Sequence, residues 1–262
     1  MFGMGHGALR SYTTTDARLI APKPEQWTFD QASTMPVVWA TVWSAFEDCM
    51  VLRPNHRVLI HAATGGVGLT AVRYASSTGA EVYATAGRES KHEYLRSTMG
   101  IPAGRIGSSR DCGAFRQQMD AAFAGSDSNI NGPASADGQL DAVLNSLSHD
   151  EYIPESLKMV KDEGHFLEIG KRGIWSAEAM ASARPRVLYH VIAVDSRMEE
   201  DPAWMGQVLA DLGGRVEQGD ARVAPLPVEA FDMRTQCVGA FQHLQRAHHI
   251  GKVVVTIQPS LV

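Results

Sequence analysis

The sequence predicts an α/β fold built on a doubly wound parallel sheet. Three observations predict it. From residue 57 onward, short β-branched apolar runs alternate with segments of helical period. The runs are continuous rather than alternating, as strands buried on both faces are. A glycine-rich turn joins the first run to the first helix, and repeated βα units of this kind give a parallel sheet with helices on both faces.

Residues 1–26 hold short β-like pieces ended by Pro22 and Pro24. From Thr28 the period becomes helical, with Asp30 as the expected N-cap and Pro36 near a second start. RPNH (53–56) makes a turn. RVLIHA (57–62) is the first strand, and residues 66–79 form a helix ended by Gly79. EVYATAG (81–87) is the second strand, and 90–100 the second helix. RIGSS (105–109) is a weak third strand, and 112–125 the third helix. The polar stretch 126–138 is long for a connection and reads as an exposed insertion. LDAVLNSL (140–147) is the fourth strand, 153–164 a helix, HFLEIGK (165–171) the fifth strand and 186–195 the sixth. A helix at 202–219 follows. The rhythm then breaks into a strand (222–228), a helix (236–249) and a last strand (251–257).

The chain has 262 residues, 44% of them hydrophobic and 20% charged, enough for one large domain or a domain and part of a second. A net charge of -5 with scattered basic residues argues against nucleic acid or an anionic membrane as partner. No apolar run approaches the roughly 20 residues that span a bilayer, and the first residues lack the pattern of a secretory signal. Three distant cysteines, Cys49, Cys112 and Cys237, fit a reducing, cytoplasmic setting rather than a disulfide framework. The 10 histidines and 3 cysteines show no zinc-ligand spacing, so no metal is expected.

Ala63-Thr64-Gly65-Gly66-Val67-Gly68 sits between a buried strand and a helix, where the dinucleotide fingerprint G-x-G-x-x-G belongs. Ala63 replaces its first glycine. Gly65 lets the backbone approach a pyrophosphate, Gly68 lets helix and strand pack closely, and the helix N-terminus offers unpaired N–H groups to the phosphates. A site for NAD places an acid at the end of the second strand. Here that strand ends in Ala86-Gly87-Arg88, followed by Ser90 and Lys91. This positive cluster suits the 2′-phosphate of NADPH. Glu89 inside the cluster opposes that reading unless it serves as a first-turn acid of the next helix. Further cofactor contacts are expected at strand ends, from Asn145, Ser146 and Leu147 and from Ile169, Gly170 and Lys171. Thr41 is one more candidate.

RVLIHAATGGVGLTAV (57–72), EVYATAGRESKHEYLR (81–96), IGSSRD (106–111), LDAVLNSL and GHFLEIGK (164–171), in this order, resemble the enoyl reductase domains of type I polyketide synthases and animal fatty acid synthase. These form a zinc-free branch of the medium-chain dehydrogenase/reductase superfamily. The resemblance covers residues 1–257. It implies NADPH-dependent reduction of a trans-2-enoyl thioester carried on acyl carrier protein, beside other synthase domains. By resemblance, Lys91 and Asp111 match the lysine and aspartate placed near the reacting carbons, and Lys252 is a further cofactor contact or equally an edge-strand charge. Read from their surroundings, Lys91 is also a phosphate or surface contact and Asp111 an N-cap. The resemblance further implies an incomplete GroES-like β substrate domain built from both chain ends: 1–26 as its remnant and 221–262 as its return segment, flanking a Rossmann-type domain at 27–220. On this reading the chain corresponds to the C-terminal two-thirds of such a domain, and the apolar run 187–194 offers an edge for a homodimer. Two other functions fit the same residues: a zinc-free quinone or alkenal reductase, and a truncated, non-catalytic NADPH-binding fragment.

Overall fold

The computed structural model describes residues 1–126 and 139–257. Among the described residues the strands, in chain order, are β1 (Phe2–Gly3), β2 (Ile20–Ala21), β3 (Arg57–Ile60), β4 (Glu81–Ala86), β5 (Ile106–Ser108), β6 (Leu140–Asn145), β7 (Val160–Glu168), β8 (Leu188–Val191), β9 (Val228–Asp232) and β10 (Lys252–Thr256). The chain divides into two compact units. One comprises Met1–Trp43, Gly65–Thr70 and Ala193–Val262, and the other Ser44–Thr64 and Ala71–Ile192.

The second unit carries the expected sheet, six strands in the order β5-β4-β3-β6-β7-β8. Every pairing is parallel. This is the Rossmann order, whose direction reverses between β3 and β6. Leu59, Tyr83, Val143 and Phe166 point to one face and pack with Phe115, Met119, Tyr152 and Leu157. The alternate residues Val58, Ile60, Val82, Ala84, Ala142 and Leu144 point the other way and are equally buried. Burial on both faces explains why these strands read as unbroken apolar runs.

Four local expectations are corrected. The first helix is capped by Thr28, not Asp30. Thr28 Oγ1 accepts from Gln31 N (3.2 Å) and Gln31 Oε1 accepts from Thr28 N (2.9 Å), a reciprocal box that Asp30 cannot form. The helix expected at 153–164 spans Tyr152–Lys158, and β7 begins at Val160. Its ladder with β6 slips between Leu140 and Ala142, where Glu163 adopts φ 62° and surplus residues of β7 leave the register. The sixth strand is only Leu188–Val191, and a helix, Val194–Glu200, takes the rest. The expected strand at 222–228 is displaced to β9, because Pro225 and Pro227 lack the N–H a ladder needs. The insertion expected at 126–138 falls almost entirely outside the described residues.

The first unit gathers segments from both chain ends. β1 and β2 pair antiparallel, and β9 and β10 pair parallel. Helix Pro202–Glu217 starts on Asp201, whose Oδ1 accepts from Trp204 N at 3.0 Å, and buries Met205, Val208, Leu209 and Leu212. From this helix the Arg215 guanidinium reaches over the rings of Trp39 and Trp43, 5.4 and 5.3 Å from their centroids.

His61 follows β3 and is fully enclosed in the second unit. Its Nδ1 lies 3.1 Å from Thr85 Oγ1 and its Nε2 2.8 Å from Ser156 Oγ. Burial, and to a lesser degree His149, pushes its pKa down from 6.5 to about 3. The folded state therefore keeps the imidazole neutral while the unfolded chain protonates it. The resulting stability is complete above the unfolded pKa and drains away as pH falls toward the folded value, by up to about 1.4 kcal/mol per pH unit. Thermal melts between about pH 6 and 4 should show a steeper loss of Tm in the unmodified chain than in His61→Gln. Equal slopes would remove His61 from the acid response.

Candidate functional site

The chain leaves β3 through a turn fastened to β4. Thr85 Oγ1 accepts from Ala62 N at 3.0 Å, and Thr85 O accepts from Ala63 N at 2.8 Å. Ala62 takes the left-handed φ of 47° that swings the chain into Thr64 and the glycines. Helix Gly66–Ser77 follows, and Leu69 N donates to Gly65 O at 2.9 Å. The N–H groups of residues 65–68 precede the first intrahelical bond, which Leu69 N makes to Gly65 O. Val67 is half-buried and Gly68 buried in this first turn.

Gly65 bridges Gly251 in the first unit, and the Lys252 side chain crosses the same helix start. A Cβ on Gly66 would stand 2.9 Å from Lys252 Cε and 3.0 Å from Val38 Cγ1. Burial lowers the Lys252 pKa. Lys252 is thus brought to the glycine turn. Thr41 is buried, and its hydroxyl donates to Val37 O (2.8 Å) within its own helix.

At the ends of β4 and β5 three cations converge. Arg88 starts helix Glu89–Ser97 in an extended conformation, with its side chain uninvolved in capping. Lys91 lies one turn on, next to exposed Ser90. Burial, then Arg110 and then Arg88, lower the Lys91 pKa. Arg110 lies over Gly87: its Nε would be 2.7 Å from a Cβ there. Glu89, the acid that opposed a phosphate, is turned to Arg96 at 2.6 Å, and that partner lowers its pKa. Asp111 serves as a cap, its Oδ1 accepting from Ala114 N at 2.9 Å. In the sequence Arg110 is one basic residue beside Asp111 in SSRD, and nothing local marks its approach to Gly87.

The ends of β6 and β7 are joined by buried Glu168, which the sequence reading also missed. Asn145 Nδ2 donates to its Oε2 and Gly170 N to its Oε1, both at 2.6 Å. Asn145 Oδ1 in turn accepts from Leu147 N (3.3 Å), and Asn145 O accepts from Ile169 N (2.9 Å). Ser146 Oγ is buried without a hydrogen-bond partner. Lys171 is exposed beside them.

A glycine turn after the first sheet strand, cations after the second, and tied loops beyond the reversal of strand order define a dinucleotide-binding α/β protein. A family model described as zinc-binding dehydrogenase matches residues 117–255, more than half of the sequence, and the chain belongs to that family. It is 37% identical to the CurK enoyl reductase, over 93% of this chain and 67% of that one, with a TM-score of 0.79. The nucleotide-binding subdomain of the enoylreductase domain of PpsC from Mycobacterium tuberculosis is 30% identical, over 73% of this chain and 97% of that one, with a TM-score of 0.59. The Spectinabilin polyketide synthase system protein NorB of Streptomyces orinoci is 37% identical over 99% of this chain, which spans 11% of that protein. The metal in the family's description finds no donor set here: among the described residues no three His, Cys, Asp or Glu side chains converge on a point that could hold an ion. No step is therefore derived through zinc. Among the described residues no helix is long and apolar enough to cross a membrane.

The two close glycines differ in what surrounds them, and substitution should separate them. Gly66→Ala presses on Val38 and on the Lys252 stem and is expected to lower stability by about 1–3 kcal/mol. Gly87→Ala meets only the exposed, flexible Arg110 and is expected to stay within about 0.5 kcal/mol of the unmodified chain in a denaturant melt.

Proposed function

We propose that this chain is the cofactor-binding part of an NADPH-dependent enoyl reductase of the polyketide-synthase type, acting on an enoyl thioester carried on acyl carrier protein. The observation that carries the cofactor choice is the convergence of Arg88, Lys91 and Arg110 at the end of β4, with Glu89 withdrawn to Arg96. Among the described residues neither Arg88 nor Arg110 is paired with a carboxylate, so their charge is available to a dianionic phosphate. The amides of residues 65–68 would hold the pyrophosphate, with Lys252 as a further cation at that helix start. Similarity to solved enoyl reductases supports the reaction class.

When bound, NADPH supplies the hydride for the β-carbon. The chain's own residues bind and orient it. Of the two roles open to Lys91, its position among two guanidiniums at the end of β4 favours the phosphate. Their repulsion and its partial burial make Lys91 Nζ readier than an ordinary lysine to share its proton with an anion. Asp111 holds the start of helix Cys112–Ser126 and so fixes the backbone from which Arg110 projects.

Calorimetry should show tighter binding of NADPH than of NADH. Arg88→Ala and Arg110→Ala should each raise the NADPH Kd about tenfold, the worth of one charge-assisted bond, and leave NADH within about twofold. Lys91→Ala should weaken NADPH binding and slow any turnover in step with it. Equal Kd values for the two cofactors in the unmodified chain would overturn the phosphate assignment. Reduction of a crotonyl thioester in preference to naphthoquinone is the expected turnover. The reverse preference would place the chain with quinone reductases, and binding without either turnover would make it a non-catalytic binding unit.

A further inference from the structure

We infer that Glu168 is a positioning residue: its buried carboxylate locks the loops after β6 and β7 into one platform for the second nucleotide half of the cofactor. The inference deepens the function proposed above and rests on it. Both carboxylate oxygens are used, Oε2 by Asn145 Nδ2 and Oε1 by Gly170 N, each at 2.6 Å. Neither loop can shift without leaving a buried polar group unpaired. Gly170 has to be glycine for this contact, because a Cβ there would lie 2.6 Å from Oε1 and 3.1 Å from Ile174 Cγ2. A second tie runs the same way, from Ser148 Oγ to Arg172 O.

The platform presents an unused group. Ser146 lies between Asn145 and Leu147, both held by the network, and its Oγ is buried with no hydrogen-bond partner among the described residues. A buried hydroxyl in that state fits a ligand atom that completes it. Strand order says which part of the ligand. The sheet consists of two mononucleotide halves, and the dinucleotide spans the reversal between β3 and β6. The cations after β4 and β5 belong to the first half. Asn145, Ser146 and Gly170, after β6 and β7, belong to the second. Glu168 therefore governs the half of the cofactor that lacks the adenosine phosphate.

The test compares two probes on the full chain by calorimetry: NADPH, which spans both halves, and adenosine 2′,5′-bisphosphate, which reaches only the first. Glu168→Gln replaces one acceptor oxygen by an amide NH2, a donor that must oppose either Asn145 Nδ2 or Gly170 N. It is expected to weaken NADPH about tenfold, the scale of one buried charge-assisted bond, while the bisphosphate stays within about twofold. Adding Asn145→Asp reverses donor and acceptor, so the double variant should recover most of the NADPH affinity. Gly170→Ala, which keeps the carboxylate but displaces it, should show the same split if Glu168→Gln folds poorly. NADPH binding unchanged in both single variants would overturn the inference. So would parallel loss of both probes, or a double variant no better than Glu168→Gln. If the unmodified chain binds neither probe, the proposed function falls and takes this inference with it. If it binds both and the variants do not differ, only the positioning role falls.

Discussion

The way the chain leaves β3 depends on one residue of the neighbouring strand. Thr85 uses its carbonyl and its hydroxyl to hold two consecutive amides, those of Ala63 and Ala62, and the same hydroxyl meets the His61 ring. A non-glycine residue at positive φ, Ala62, is tolerated because these bonds over-determine the turn. With the turn fixed, the next helix starts at Gly66. The helix start rests on that geometry, and the residues that enforce it, Ala62, Ala63 and Thr85, all lie outside the helix itself.

Charge follows the same economy of position. Acid and base are interleaved along residues 88–96, yet the helix sorts them: Glu89 and Glu93 both reach Arg96 on one face, while Lys91 faces Arg110 and Arg88. Helical spacing makes i, i+3 neighbours of some of these groups and separates others. A run that is nearly neutral by composition thus acquires a locally positive face. Glu168 is the converse case. Its carboxyl group is held inside the fold, and burial raises its pKa even as Asn145 and the Gly170 amide favour its charged form.

Much of this was legible in the sequence. The six sheet strands and the glycine turn announce themselves because burial on both faces demands continuous apolar runs, and close backbone approach demands glycine. Strand limits were less legible. The slip in β7 is set by pairing with β6, and nothing within VKDEG distinguishes a looped-out strand start from a helix end. Thr28 was readable from its Gln31 partner, and the prolines at 225 and 227 already barred a strand. Arg110, Glu168 and His61 were not readable as site residues, since each acts through partners remote in sequence: Gly87, Asn145, Thr85 and Ser156. A polar residue's role is decided by what folding brings beside it, and periodicity carries no record of that.

The far end of the sheet carries a different kind of consequence. β8 pairs with β7 alone, and Leu188 and Val191 stand 47% and 53% exposed on it. Its outer backbone groups lack the usual guards of an edge strand, since no lysine, proline or bulge interrupts LYHV. The strand is short, which limits how far such an edge can template another chain. Of its two exposed apolar residues, Val191 sits beside Glu168 and Leu188 beside His165 at the opposite end of the ladder, so a lysine at 188 would interrupt the apolar edge at the greater distance from the Glu168 network.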